Sequence, residues 1–242
     1  MKIHWWARTD VGKIREKNED SYHVNDDLNL FLLADGMGGH VGGKRASSLA
    51  VSLVNEYLES NLESSSSSPL DLFHDALVNA NISIYQEAQR DPELKGMGTT
   101  FTGLWYTDSH LQILHVGDSR LYRYRDGCLD QLSQDHTWVA EQLKAGYITE
   151  EEAKNSRFKS VITRSVGFEK EVYPDKEQLP VTAGDVYIMC SDGLSNYFQM
   201  DELERLLKYN FYTRIPDILL ETALARGGED NITFIVLYAA NE

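Results

Sequence analysis

Cysteine is scarce in this sequence. Cys128 and Cys190 are the two, in unlike contexts and with no CxxC pair. That argues against a disulfide framework or a thiolate zinc site and makes a reducing cytoplasm the expected compartment. Positive charge is also short: 23 Lys and Arg stand against 38 Asp and Glu, a formal net charge of −15. Such a surface disfavours nucleic acid and anionic lipid as partners. No apolar run is long enough to span a bilayer, and the opening MKIHWWARTD lacks the apolar middle of a signal peptide. Neither a nucleic-acid nor a membrane partner is expected. Internal repeats are lacking too. ESSSSSPL (63–70) is too short a break to divide domains, so residues 1–242 read as a single domain.

What is present is a set of short apolar runs. Those at 28–34, 99–107, 110–117, 120–127, 185–191 and 231–239 read as strands. In NITFIVLYA (231–239) both alternating sets are mainly apolar, which predicts cover on both faces. Asp126-Gly127 between two runs is a hairpin signal. From Val41 to Leu58, Ala46, Leu49, Ala50, Leu53, Val54 and Tyr57 recur at helical spacing. Ser68 and Pro69 suit the N-cap and first residue of a second helix with Phe73, Ala76, Leu77, Ala80 and Ile84 on one face. DELERLLKYN (201–210) and IPDILLETALARGG (215–228) make another helical pair. Strands in hairpins and helices in pairs predict an α+β fold, antiparallel sheets with helical layers outside. The segment 136–166 is poor in large apolar residues. It reads as short polar helices, with Thr149 and Glu152 as a capping box, and fits a mobile flap or an ordinary connection equally.

The acids fall at the ends of these runs. Asp35 follows LFLLA, Asp118 follows ILHVG, Asp192 follows YIMCS, Asp230 precedes NITFIV, and Glu19-Asp20 precede SYHV. In an antiparallel sheet one edge collects both strand ends and strand beginnings, so these acids can share a rim. Small neighbours in A-D-G, G-D-S and S-D-G also let backbone carbonyls approach an ion. Magnesium and manganese favour oxygen ligands, and two such ions can clamp a phosphoryl group. A lone Asp-Gly is more often a turn than a ligand, although several in one chain are harder to dismiss. The glycines after Asp35 offer a rival reading. From Gly38, G-G-H-V-G-G-K-R nearly matches the phosphate loop G-x-x-x-x-G-K-[ST], but Arg45 stands where a hydroxyl is needed.

Taken in order, the motifs cover nearly the whole chain. DVGKIREKNEDS, LLADGMGGHVGG, MGTTFTGL, HVGDSRLYRYRDG, LSQDHTWV, VITRSVG, SDGLSNYF and GGEDNITFIVL resemble the metal-dependent protein serine/threonine phosphatases of type 2C, in their compact bacterial form. The resemblance implies a four-layer α-β-β-α sandwich, two antiparallel sheets face to face with helical pairs outside. It implies two Mn2+ or Mg2+ ions and in-line attack on phosphorus by a metal-bridging hydroxide. Asp35 would bridge the ions, the Gly36 carbonyl would bind the second, and Asp192 and Asp230 would complete the first ion's shell. Glu19 and Asp20 would hold metal-bound waters, Asp118 with Asp192 would support a third ion, and Arg15 would hold the substrate phosphate. Gly98, Thr99, Thr100 and Arg120 would be structural. The partners implied are phosphorylated proteins and a cognate serine/threonine kinase, with the enzyme acting as a monomer.

There are departures. Met37 stands where animal members carry a histidine proposed as general acid, and His40 beside a Gly-Gly turn reads as structural. NSRFKSVITRS differs from the His-Pro pattern of many relatives, which bears on flap behaviour and substrate choice. A cysteine phosphatase is disfavoured, because Cys190 is followed by S-D-G-L-S-N without a phosphate-cradling arginine. A catalytically dead binding module on the same fold ranks low, since such proteins usually lose the acids that are all present here.

Overall fold

Successive side chains of a strand point to opposite faces, so a strand that is apolar throughout must be covered on both. A computed structural model describes residues 1–241, with the backbone alone at 39–41. The first half holds β1 (Lys2–Asp10), β2 (Ser21–Asn25), β3 (Leu30–Ala34), β4 (Gly36–Met37), α1 (Gly39–Asn61), α2 (Pro69–Arg90), β5 (Gly98–Thr99), β6 (Phe101–Thr107) and β7 (His110–Val116). Then come β8 (Arg120–Arg125), β9 (Cys128–Gln131), α3 (Trp138–Lys144), α4 (Glu150–Lys154), β10 (Asp175–Pro180), β11 (Val186–Cys190), α5 (Asp192–Ser195), α6 (Met200–Tyr209), α7 (Ile215–Ala225) and β12 (Ile232–Ala240).

One sheet has the order β1-β12-β11-β8-β9, the other β10-β7-β6-β3-β2, and β4 pairs with β5 apart from both. All the pairings are antiparallel. Strand alternation then builds three cores. Leu30, Leu32 and Ala34 of β3 turn to the helical pair α1–α2, while Phe31 and Leu33 turn to the opposite sheet. In β12, Phe234 and Val236 meet α6 and α7, while Ile235 and Leu237 enter the space between the sheets. The layers are therefore α-β-β-α, and NITFIVLYA is covered on both faces as its pattern predicts. Asp126 (φ 52°) and Gly127 (φ 87°) supply the two left-handed residues of a tight β8–β9 hairpin. Ser68 Oγ accepts the N–H of Asp71 at 3.2 Å, capping α2 as expected.

Five strands lie outside the six apolar runs: the two-residue β4, and β1, β2, β9 and β10. Each of the last four lies at a sheet edge. An edge strand needs only one apolar face, and polar side chains there discourage further pairing. β10, DKEQLP, is the extreme, with five of six residues exposed. In β1, Ile3, Trp5 and Ala7 pack on the inter-sheet core while Trp6 meets Tyr212 with ring centroids 5.3 Å apart.

The segment 136–166 carries α3 and α4, neither with a buried residue. The Thr149–Glu152 capping box is present. Its base is tied down: Thr163 N–H donates to the His136 carbonyl at 2.9 Å, and Thr137 bridges Ile162.

Candidate active site

β3 ends at Ala34 and delivers Asp35 into a turn fixed from both sides. Thr100 Oγ1 accepts the Asp35 N–H at 2.9 Å, and its own N–H donates to the Asp35 carbonyl at 2.8 Å. Thr99 Oγ1 donates to that same carbonyl at 2.8 Å. These hydroxyls hold the backbone of Asp35, which leaves its carboxylate as the adjustable part. A Cβ on Gly36 would overlap the Gly43 carbonyl, and one on Gly43 would come within 2.9 Å of Glu19 Oε1. The glycines thus let the first turn of α1 press against the Asp35 turn, and Gly38 (φ 116°) takes the left-handed bend. The phosphate-loop reading fails here: Lys44 Nζ donates to the Asp20 carbonyl at 2.6 Å, and Arg45 pairs with Glu87 on α2 at 2.6 Å. The side chain of His40 lies outside the described residues.

The other acids arrive from separate strands. Asp118 follows β7 after Gly117 (φ 107°), Asp192 opens α5 directly after β11, and Asp230 precedes β12. Arg15, Glu19, Asp35, Gly36, Asp118, Asp192 and Asp230 line one cleft of about 640 Å³, together with Met37 and Ser160. Asp20 is not on that wall. It lies beneath, 2% exposed, where Ser191 Oγ donates to Oδ2 at 2.9 Å and Oδ1 has no partner.

The sequence reading missed Asn231. Its amide donates to the carbonyls of Val11 and Lys17, each at 2.9 Å, and its Oδ1 accepts the Glu19 N–H at 2.8 Å. One buried side chain therefore fixes the loop carrying Arg15 and Glu19 to the strand carrying Asp230. The only signal was its place beside Asp230. Arg15 itself donates to Asp230 Oδ2 at 2.7 Å, a pair half open to solvent. Arg120 forms a fork with Asp135, Nε and Nη2 donating at 3.0 and 2.7 Å, and so keeps a scaffolding contact.

Crowding of like charge shows in the protonation equilibria. Burial, and then the carboxylates of Asp20, Asp192, Asp118 and Asp230, hold the Asp35 carboxyl well above the usual range. Burial, then Asp192 and Asp135, lifts Asp118 to about 7. Burial lifts Asp20 to about 6, and burial with Asp230 raises Asp192. Such a set is relieved by a cation, and its donors are all oxygen, which suits magnesium or manganese. Among the described residues no three His, Cys, Asp or Glu side chains are gathered as a ready ligand shell. The carboxylates instead turn to protein donors, Asp230 to Arg15, Asp192 to Asn196 and Asp20 to Ser191. The partly exposed pairs are weak enough to yield to an ion.

An acid-lined cleft at one end of two face-to-face antiparallel sheets, flanked by helical pairs, is the architecture of the protein phosphatase 2C class. The chain belongs to that family: residues 14–225 match its model, Protein phosphatase 2C. It is similar to the serine/threonine phosphatase stp of Listeria monocytogenes, 35% identical over 242 residues that cover 97% of this chain and 95% of the relative. It is 36% identical to the serine/threonine protein phosphatase PstP of Mycobacterium tuberculosis, covering 98% of this chain and 45% of that longer protein. The crystal structure of the Mycobacterium tuberculosis phosphatase PstP/Ppp superposes with a TM-score of 0.89 at 35% identity, over 100% of both chains. The PstP catalytic domain in complex with two manganese ions gives 0.86 at 34% identity, over 99% of each. Among the described residues no helix is long and apolar enough to cross a membrane.

Proposed function

We propose that this chain hydrolyses phosphoserine and phosphothreonine on proteins in a metal-dependent reaction. The observation that carries the reading is the meeting of Asp35, Asp118, Asp192 and Asp230, from four strand ends, with Arg15 in one cleft. Asp35, the Gly36 carbonyl, Asp192 and Asp230 would hold two manganese or magnesium ions, and Asp118 with Asp192 a third. Glu19, on the cleft wall, and Asp20, buried beneath it, would orient water. The ions supply Lewis-acid activation of water and neutralise charge on the phosphoryl group. We further read residues 1–242 as one catalytic domain, acting as a monomer in the cytoplasm against a serine/threonine kinase.

The side chains then divide the work. Asp35, held through its backbone by Thr99 and Thr100, would keep bound ions in register with the cleft. Arg15 reaches from the loop clamped by Asn231 and grips phosphate oxygens, which exchange with Asp230 as its partner. Arg15→Ala is expected to lower kcat/KM on a phosphopeptide roughly ten- to a hundredfold, the loss of one charge-assisted hydrogen bond. Arg15→Lys recovers part of that, because an ammonium cannot reproduce the planar fork. Manganese affinity is not weakened, since the arginine competes for Asp230 rather than binding metal. Unchanged kcat/KM in Arg15→Ala would return Arg15 to the role of a surface charge.

Covalent catalysis by cysteine finds no support. Cys190 is fully buried in the core against α5–α7, and burial pushes its thiol up to about 12. Cys190→Ser is expected to keep its turnover, with a modest loss of stability. A phosphorylated enzyme trapped during turnover would overturn this.

The decisive assay measures release of phosphate from phosphoserine and phosphothreonine peptides with and without added manganese. Turnover only with the metal is the expected result. Binding without turnover at any metal concentration would instead favour a catalytically dead recognition module.

A further inference from the structure

Beside the catalytic cleft runs a second groove of about 420 Å³, and Asp118, Ser160 and Asp192 line both. Its outer wall is the 136–166 segment, through Leu143 of α3 and Ala153 and Lys154 of α4; its inner wall is Phe198, just before α6, and Met200, the first residue of α6. Leu143 and Met200 are 38% and 40% exposed, large apolar side chains on opposite walls. We infer that this groove seats the stretch of substrate polypeptide adjoining the phosphoresidue, with a bulky apolar side chain against Leu143, Phe198 and Met200 and a carboxylate at Lys154 or Lys159. This deepens the phosphatase reading and rests on it.

Three observations carry the inference. The groove opens from the cleft, so a chain whose phosphate lies by Arg15 and Asp35 can enter it without a break. Among polar neighbours its walls offer two accessible apolar side chains, Leu143 and Met200, with Phe198 buried beside them, and an apolar side chain seated there leaves water. The third is charge. Lys154 and Lys159 both line the groove, and their ammonium groups have no acid partner among the described residues. In a chain of net charge −15, two unpartnered lysines on one groove favour an anion. Asp118 and Asp192 at the inner end repel a carboxylate, so it lies at the outer, lysine end, with the apolar residue between it and the phosphate.

The test uses phosphothreonine peptides in a Gly/Ser background, with leucine placed singly at each flanking position and then with glutamate added beyond it. An aryl phosphate serves as a small substrate. One position is expected to give roughly tenfold higher kcat/KM for leucine than for serine, the order expected for burying one such side chain. That leucine-to-serine ratio should fall towards one in a Leu143→Ser/Met200→Ser variant, whose exposed positions tolerate the change. Glutamate should add roughly two- to fivefold, as an exposed ion pair does, and lose it in Lys154→Ser/Lys159→Ser. A leucine preference that survives Leu143→Ser/Met200→Ser, or no preference at any position, overturns the inference. Aryl phosphate turnover by the wild type separates the two readings. Without it the catalytic assignment falls and the groove with it; with it, a missing leucine preference overturns the groove alone.

Discussion

Asp35→Asn and Asp192→Asn are each expected to cut manganese-dependent turnover by roughly a hundred- to a thousandfold or more, the scale of losing one preorganised charge-stabilising group. The same substitutions should raise the melting temperature of the metal-free protein. Both carboxyls have raised pKa values in the folded state, by burial first and then by neighbouring acids. A carboxyl raised on folding binds its proton more tightly in the native state, so its ionised form weakens the fold at neutral pH. Asparagine keeps the shape and removes that charge. Manganese reverses the order. It binds the folded wild type and stabilises it by mass action, whereas the variants lose much of that thermal shift. Turnover and thermal shift, each with and without manganese, form the test. Near-normal activity of Asp192→Asn at saturating manganese would show that the ligand assignment is wrong.

Asp185→Ala is expected to destabilise the fold strongly although the residue lies away from the cleft. Asp185 sits just before β11 with its side chain 1% exposed, and accepts Arg125 Nε and Nη2 at 2.6 Å each, the Thr182 N–H at 2.8 Å and the Tyr187 hydroxyl at 2.9 Å. Burial alone would raise its pKa. The bonds from Arg125, the Thr182 N–H and Tyr187 outweigh that and hold it below the usual carboxylate range. Its contribution is therefore present above the unfolded carboxylate pKa, about 3.9, and is lost as pH falls through the lower folded value. Removing one partner of a buried pair costs about 3–5 kcal/mol, and the partial exposure of Arg125 points to the low end. At about 3 kcal/mol the melting temperature falls by roughly 6–12 °C for a domain of this size. Turnover below the transition should persist, because Asp185 touches none of the cleft. A fall of less than about 2 °C would mean that solvent replaces the lost contacts.

Some of this protein was determined by local sequence alone. The six apolar runs became strands because strand alternation and burial on two faces are written in adjacent residues. The hairpin at Asp126-Gly127 and the cap at Ser68 are likewise local chemistry. The acids at strand ends marked the cleft, since an antiparallel sheet gathers strand ends along one edge and small neighbours leave room around them. Other features arise only when distant residues meet. Asn231 clamps a loop more than two hundred positions away, and Arg15 pairs with Asp230 across 215 positions. Nothing near either residue encodes those partners. The edge strands β1, β2, β9 and β10 escaped the apolar criterion because an edge is polar by need, and only its neighbour in the sheet makes it a strand. That Gly36 and Gly43 have no room for a Cβ follows only from the packing of α1 against the Asp35 turn. Local propensity and burial pattern depend on near neighbours, whereas close approach, charge crowding and the shape of a groove depend on which surfaces the completed packing brings together.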